Sequence, residues 1–181
     1  MNYVIVSGRV LLGLVFLCSV AGKLRSADAY RAFRLSVAQL APPLRRRTKA
    51  VAPLVIAAEA AVLVALVVPA SVTVGFAAGA FLLAGFALAL TGVLRRKENA
   101  ACHCFGGSEP VAPRYVVRNV LLVGVALAGL VGRPITAEAA AGSSAGLLLA
   151  VGIGVLLALF TVTLDDLAHL FGPVDPEEAR A

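Results

Sequence analysis

The sequence predicts an all-α fold: a polytopic membrane helix bundle with four core transmembrane helices and a fifth at the C-terminal end. Three observations predict it. Of 181 residues, 60% are hydrophobic and 14% charged, with a mean hydropathy of +0.94, which excludes an ordinary water-soluble domain. The apolar residues gather in runs near the length of about 20 residues that a helix needs to cross a bilayer. Seventeen glycines among long Ala/Val/Leu stretches suit helices packed closely in lipid, where small residues let backbones approach.

The first run covers residues 3–21. A signal peptide is the competing reading, but no basic region precedes the run and Arg9 interrupts it early, and the later runs make the chain membranous in either case. Further runs cover 51–68, 72–94, 115–131 and 145–164. The fourth is short and the fifth rich in glycine. Only Pro69, Ala70 and Ser71 separate the second from the third, so these two form a tight antiparallel hairpin. Residues 1–171 are expected to form a single transmembrane domain. The acidic, proline-containing tail at 172–181 is expected to be loose.

Between the first two runs, Ser26 is placed to cap a short helix. Tyr30, Phe33, Val37 and Leu40 recur in it at helical spacing, while Arg31 and Arg34 face elsewhere. The pattern reads as an interfacial helix lying on the bilayer, ending at Pro42 and Pro43 before the basic run Arg45, Arg46, Arg47 and Lys49.

The net charge of +6 is not spread as a nucleic-acid surface requires, and no nucleic-acid partner is expected. Eight of the sixteen Lys/Arg residues lie from Lys23 to Lys49, beside apolar spans, where anionic lipid headgroups are the natural partners. Loop three adds Arg95, Arg96, Lys97 and Arg114; loop two has no basic residue, and loop four has only Arg133. The positive-inside rule therefore puts loops one and three in the cytoplasm and the N-terminus outside. Whichever way the chain sits, the hairpin makes loops one and three emerge on the same face. Cys18, Lys23, Cys102, His103, Cys104, Arg118 and Asn119 are then expected at one membrane boundary.

Three cysteines do not make a disulfide scaffold. Cys102 and Cys104, however, stand one residue apart in the block Cys102-His103-Cys104-Phe105-Gly106-Gly107. Thiols so spaced can close a small, strained and readily exchanged disulfide. Neighbouring Arg95, Arg96, Lys97, Arg114 and Arg118 would favour thiolate. The competing readings are a surface loop with two incidental cysteines and a metal site. Consecutive residues, however, cannot easily aim three ligands at one ion, and no second cluster completes a tetrahedral set, so no metal is predicted.

Cys18 is either a small packing residue or a third thiol working with the loop pair. Glu59 falls near the middle of the second span, where an ionisable group must face the bundle interior. It serves there as a proton acceptor or ligand anchor, or as a structural partner of Arg9 or Arg118. Arg118 and Asn119 open the fourth helix. Arg118 is placed to snorkel to headgroups, stabilise a thiolate or pair with Glu59, and Lys23, after Ala21-Gly22, carries the same alternatives. Asp165, Asp166 and His169 read as a terminal polar face without chemistry.

The block Cys102-His103-Cys104-Phe105-Gly106, a proline-containing spacer, and Arg118-Asn119 before an apolar helix together resemble the methylamine utilisation MauE family of membrane proteins, related to DoxX-like proteins. Ala21-Gly22-Lys23-Leu24, Leu40-Ala41-Pro42 and Glu59 are similar too, and the likeness runs from about residue 3 to 131. The resemblance implies a multi-pass component of a disulfide-forming or cysteine-redox system. The namesake proteins act in maturation of the disulfide-rich small subunit of methylamine dehydrogenase, alongside a thioredoxin-like partner. Carried over, Cys102 and Cys104 become the redox pair, supported by His103, Phe105, Gly106, Arg118, Asn119, Glu59, Lys23 and Cys18.

The resemblance further implies a separate thioredoxin-like partner, a cysteine-containing client and a bacterial cell membrane. No bound cofactor is predicted, although a quinone or another electron acceptor is compatible with the redox reading. The loop charges put the thiols inside, whereas a partner that oxidises exported proteins would meet them outside. Two other functions compete: a non-enzymatic membrane assembly factor, and a small transporter with Glu59 as its site.

Overall fold

Within a bilayer the backbone N–H and C=O groups find partners only in one another, so apolar runs of this length fold as helices. The computed structural model describes residues 2–40, 42–96, 112–132 and 143–170. No strand occurs among the described residues. The helices are α1 (Asn2–Leu24), α2 (Ala27–Leu40), α3 (Thr48–Val67), α4 (Val72–Arg96), α5 (Pro113–Val131) and α6 (Ser144–Leu170). All but α2 are long and apolar enough to cross a membrane. The acidic tail at 172–181 lies outside the described residues.

A 3₁₀ turn at Pro69–Ser71 joins α3 to α4. Ser71 holds it closed: its N–H donates to Val68 O at 3.1 Å and its hydroxyl to Ala65 O at 3.1 Å, which satisfies carbonyls that the end of α3 leaves open. Arg9 completes that end from α1, donating to Leu66 O at 2.6 Å and Val67 O at 2.7 Å. It is therefore a helix cap at the far end of α3 from Glu59, and the expectation that it pairs with that carboxylate is corrected.

α1, α3, α4 and α5 alternate in direction around one core. Leu12 and Phe16 of α1 meet Val62 and Leu66 of α3, Phe76 and Leu83 of α4, and Leu122 and Ala126 of α5. The α4–α5 contact depends on Gly129, where a Cβ would lie 2.5 Å from the Phe76 ring. Alternation brings the C-terminal ends of α1 and α4 and the N-terminal ends of α3 and α5 to one face, together with Lys23, Arg95, Arg96 and Arg114.

α2 puts its apolar stripe to a different use from the one its sequence suggests. Ser26 does cap it, the hydroxyl accepting from Ala29 N at 3.0 Å. Phe33 and Val37, however, are buried against Ala52 and Ile56 of α3, so the stripe faces the bundle. The helix covers the end of α1 instead of only resting on the bilayer.

α6 lies outside the four-helix unit and runs parallel to α1. Gly146, Ala150, Gly154 and Ala158 recur at every fourth position and turn a flat strip of small residues to its neighbour. Ser7 Oγ donates to Ala150 O at 2.8 Å, and Ser143 N donates to the Tyr3 hydroxyl at 3.1 Å. A Cβ on Gly154 would stand 2.8 Å from Ser7 O, so the two backbones could not keep this spacing. Gly154→Leu should accordingly destabilise the protein by about 1–3 kcal/mol through overpacking. Gly152→Leu is the control, because a Cβ there meets nothing within 4 Å. Thermal unfolding in detergent should show a lower Tm for the first variant only; equal shifts would contradict the α1–α6 contact.

Candidate functional site

Glu59 is 1% exposed and stands twelve residues into α3. A carboxylate so placed needs a full set of partners. Lys23 supplies the charge: its Nζ lies 2.5 Å from Oε1 and 2.6 Å from Oε2. The same ammonium donates to Ser19 Oγ at 2.6 Å, and the Ser19 hydroxyl donates to Glu59 Oε1 at 3.2 Å. All three ammonium donors therefore have acceptors.

Helix geometry explains why a lysine at the end of α1 reaches the middle of α3. Side chains on a helix lean toward its N-terminus, so that of Lys23 runs back one turn, past Ser19 and into the bundle. Aromatic faces complete its surroundings, with Nζ 4.8 Å from the Phe33 ring centroid and 5.8 Å from that of Phe86. Rings at these distances attract a cation. Phe33 belongs to α2, so the short helix seals the ion pair.

Beside the pair lies a cavity of about 20 Å³, whose polar lining comes from Ser19, Glu59, Arg118 and Asn119. That is room for about one water with several polar partners. Arg118 is buried and its guanidinium stands 5.3 Å from the Tyr115 ring centroid. Asn119 Nδ2 donates to Tyr115 O at 2.7 Å, one turn back on α5. The cluster thus joins α1, α3 and α5, with α2 and α4 supplying its aromatic walls.

Among the residues expected at the site, the structure brings together Lys23, Glu59, Arg118 and Asn119. Glu59 takes Lys23, and not Arg9 or Arg118, as its ion-pair partner. Cys18 is a free, exposed thiol on the outer side of α1, whereas its neighbour Ser19 faces the carboxylate. Cys102, His103, Cys104, Phe105 and Gly106 lie outside the described residues, and so does the expectation of a shared polar shell around them. Ser19, Phe86 and Tyr115 were missed by the sequence reading. The signal for Ser19 was its position four residues before Lys23, one helical turn.

The fold and this cluster define a multi-pass helical membrane protein built around a buried acid–base pair. The chain belongs to the MauE family: it matches the family described as "Methylamine utilisation protein MauE" over residues 1–132. It is 36% identical over 168 residues to the "Methylamine utilization protein MauE" of Paracoccus denitrificans, covering 88% of this chain and 86% of that protein. No solved structure matches it. The family match ends at the close of α5, so it contains the whole four-helix unit and the ion pair, and α6 follows it.

Removing one charge strands the other in the apolar interior, which costs about 3–5 kcal/mol; removing both with apolar residues of similar size is close to neutral. Lys23→Met and Glu59→Leu should each lower the unfolding midpoint sharply, and the double variant should recover most of the loss. A double-mutant cycle in detergent measures this. Losses that simply add would show that the two charges are not coupled.

Proposed function

We propose that this protein is the bacterial cell-membrane component of a thiol–disulfide redox system, with Cys102 and Cys104 as its exchanging pair and a role in maturing a disulfide-containing client. Membership of the MauE family supports the setting in methylamine utilisation. The observation that carries the reading is the position of the Lys23–Glu59 cluster. It lies beneath the bundle end where α4 stops at Arg96 and α5 begins at Pro113, and the chain between those helices contains Cys102-His103-Cys104.

The chemistry balances without a bound group. A Cys102–Cys104 disulfide takes two electrons and two protons from a client dithiol, leaving the client oxidised and the loop pair reduced. A separate thioredoxin-like protein, or another electron acceptor, then restores the disulfide. The basic residues Arg95, Arg96, Arg114 and Arg118 at this end favour the thiolate through which exchange proceeds. Glu59 and Lys23, with the cavity beside them, offer groups that can hold a proton inside the bundle. An assembly factor that only holds its client would need none of this thiol chemistry.

Thiol trapping of native membranes, in a Cys18→Ala background, tests the proposal. The expected result is a population at Cys102 and Cys104 that resists alkylation until reductant is added, with loss of client disulfide formation in Cys102→Ser and Cys104→Ser. Thiols that are always free and alkylate slowly would remove its basis and favour the assembly-factor reading.

A further inference from the structure

A 3₁₀ segment, Pro42–Arg47, joins α2 to α3 and sets four cations at the corner where α3 begins. Arg45, Arg46, Arg47 and Lys49 are all exposed. None has an acidic partner among the described residues, whose two ion pairs are Asp28 with Arg31 and Glu59 with Lys23. The backbone adds to the crowding of charge. Arg47 stands at the N-cap of α3 without a side-chain cap bond, and the first turn of α3 has no acidic residue. Cations at the positive end of a helix, and like charges held in one short turn, both raise the energy of the fold. A layer of negative charge outside the protein would offset both.

We propose that this corner docks on anionic phospholipid headgroups, and that the contact keeps α2 closed over the Lys23–Glu59 pair. Charge complementarity and depth together select lipid as the occupant. The stretch Arg45–Val67 is long and apolar enough to cross a membrane, so the four cations stand in its first turns, at the headgroup level of a bilayer. Leu24 at the end of α1 and Leu35 on α2 are exposed as well. The interfacial region of a bilayer takes up such apolar side chains beside cations, which an acidic protein surface does not.

The coupling to the buried pair runs through the chain itself. α2 follows a break after Leu24 and ends just before Pro42 and the 3₁₀ segment. Between those points Phe33 and Val37 pack on Ala52 and Ile56 in the first half of α3, and the Phe33 ring lies 4.8 Å from the Lys23 ammonium. Headgroups that relieve the repulsion in the 3₁₀ segment therefore fix the end of α2 to the start of α3 and hold Phe33 in place. In a leaflet without net charge the repulsion stays, and α2 lifts more often. A helix of 14 residues lifted from its neighbours frays, because most of its stability comes from packing.

The test compares the full chain in nanodiscs of phosphatidylcholine alone with nanodiscs that also contain phosphatidylglycerol in equal amount. Two rates are read by mass spectrometry: amide hydrogen exchange over residues 27–40, and acylation of Lys23 by a water-soluble amine reagent. Phosphatidylglycerol is expected to slow both, by about fivefold for each cation that a headgroup neutralises. Arg46→Gln should then reduce the difference between the two lipids about fivefold. The variant with Arg45→Gln, Arg46→Gln, Arg47→Gln and Lys49→Gln, all at exposed positions, should show one rate in both nanodiscs. High salt should shrink the difference in the unaltered chain, since it screens exposed charges. Equal rates in the two lipids, a difference that survives the fourfold variant, or the same protection from inorganic phosphate added to phosphatidylcholine nanodiscs would overturn the proposal. So would faster exchange in phosphatidylcholine on removal of residues 172–181, which would make the chain's own acidic tail the occupant. None of these readouts depends on Cys102 or Cys104, so the redox reading stands or falls separately.

Discussion

Glu59 alone at mid-span would cost about 2.5–3.5 kcal/mol or more to place in the membrane, and an unpaired Lys23 would add a comparable penalty. Together, with Ser19 between them and two aromatic rings around the ammonium, they form a closed set of hydrogen bonds. That set fixes much of the rest. It pins the register of α1 against α3, requires α2 to fold over the end of α1, and brings Phe86 of α4 and Arg118 of α5 to one place. An apolar core alone would tolerate these helices sliding past one another, whereas a buried ion pair has one good geometry.

The remaining architecture divides into parts that build this cluster and parts that do not. Residues 1–132, the extent of the family match, contain the four alternating helices and the α2 cover. α6 stands apart, held to α1 by a strip of small residues and by hydrogen bonds at Ala150 and at Ser143, the residue just before the helix. Its parallel packing on α1 leaves the flank of α5 uncovered. That packing leaves an open groove beside the sealed site, and Arg118 lines both.

Much of the fold was legible because the bilayer imposes strong constraints. Five apolar runs could become little else than helices, a three-residue break with proline forced a hairpin, and Ser26 marked the start of α2. The burial of Glu59 was legible from its cost in lipid. Its partner was not, since choosing among Arg9, Arg118 and Lys23 requires the register of α1 on α3. In that antiparallel register Arg9 falls opposite Leu66, the far end of α3, and the N-terminal lean of a helical side chain carries Lys23 inward. Cys18 and Ser19 show the same limit: adjacent residues on a helix point about 100° apart, and sequence alone does not say which one faces the core. The amphipathic stripe of α2 was visible, but a stripe does not reveal whether it meets lipid or protein.

The central claim is that Glu59 is an ionised carboxylate held by Lys23 inside the bundle. Isotope-edited infrared spectroscopy measures this directly, by comparing glutamate-labelled protein with its Glu59→Gln variant in lipid near neutral pH. The account predicts that the difference spectrum loses a carboxylate band, at a position set by strong hydrogen bonding, and that Lys23→Met shifts or abolishes the same band. Loss of a protonated carboxylic-acid band instead, unchanged by Lys23→Met, would contradict the ion pair and the account built on it.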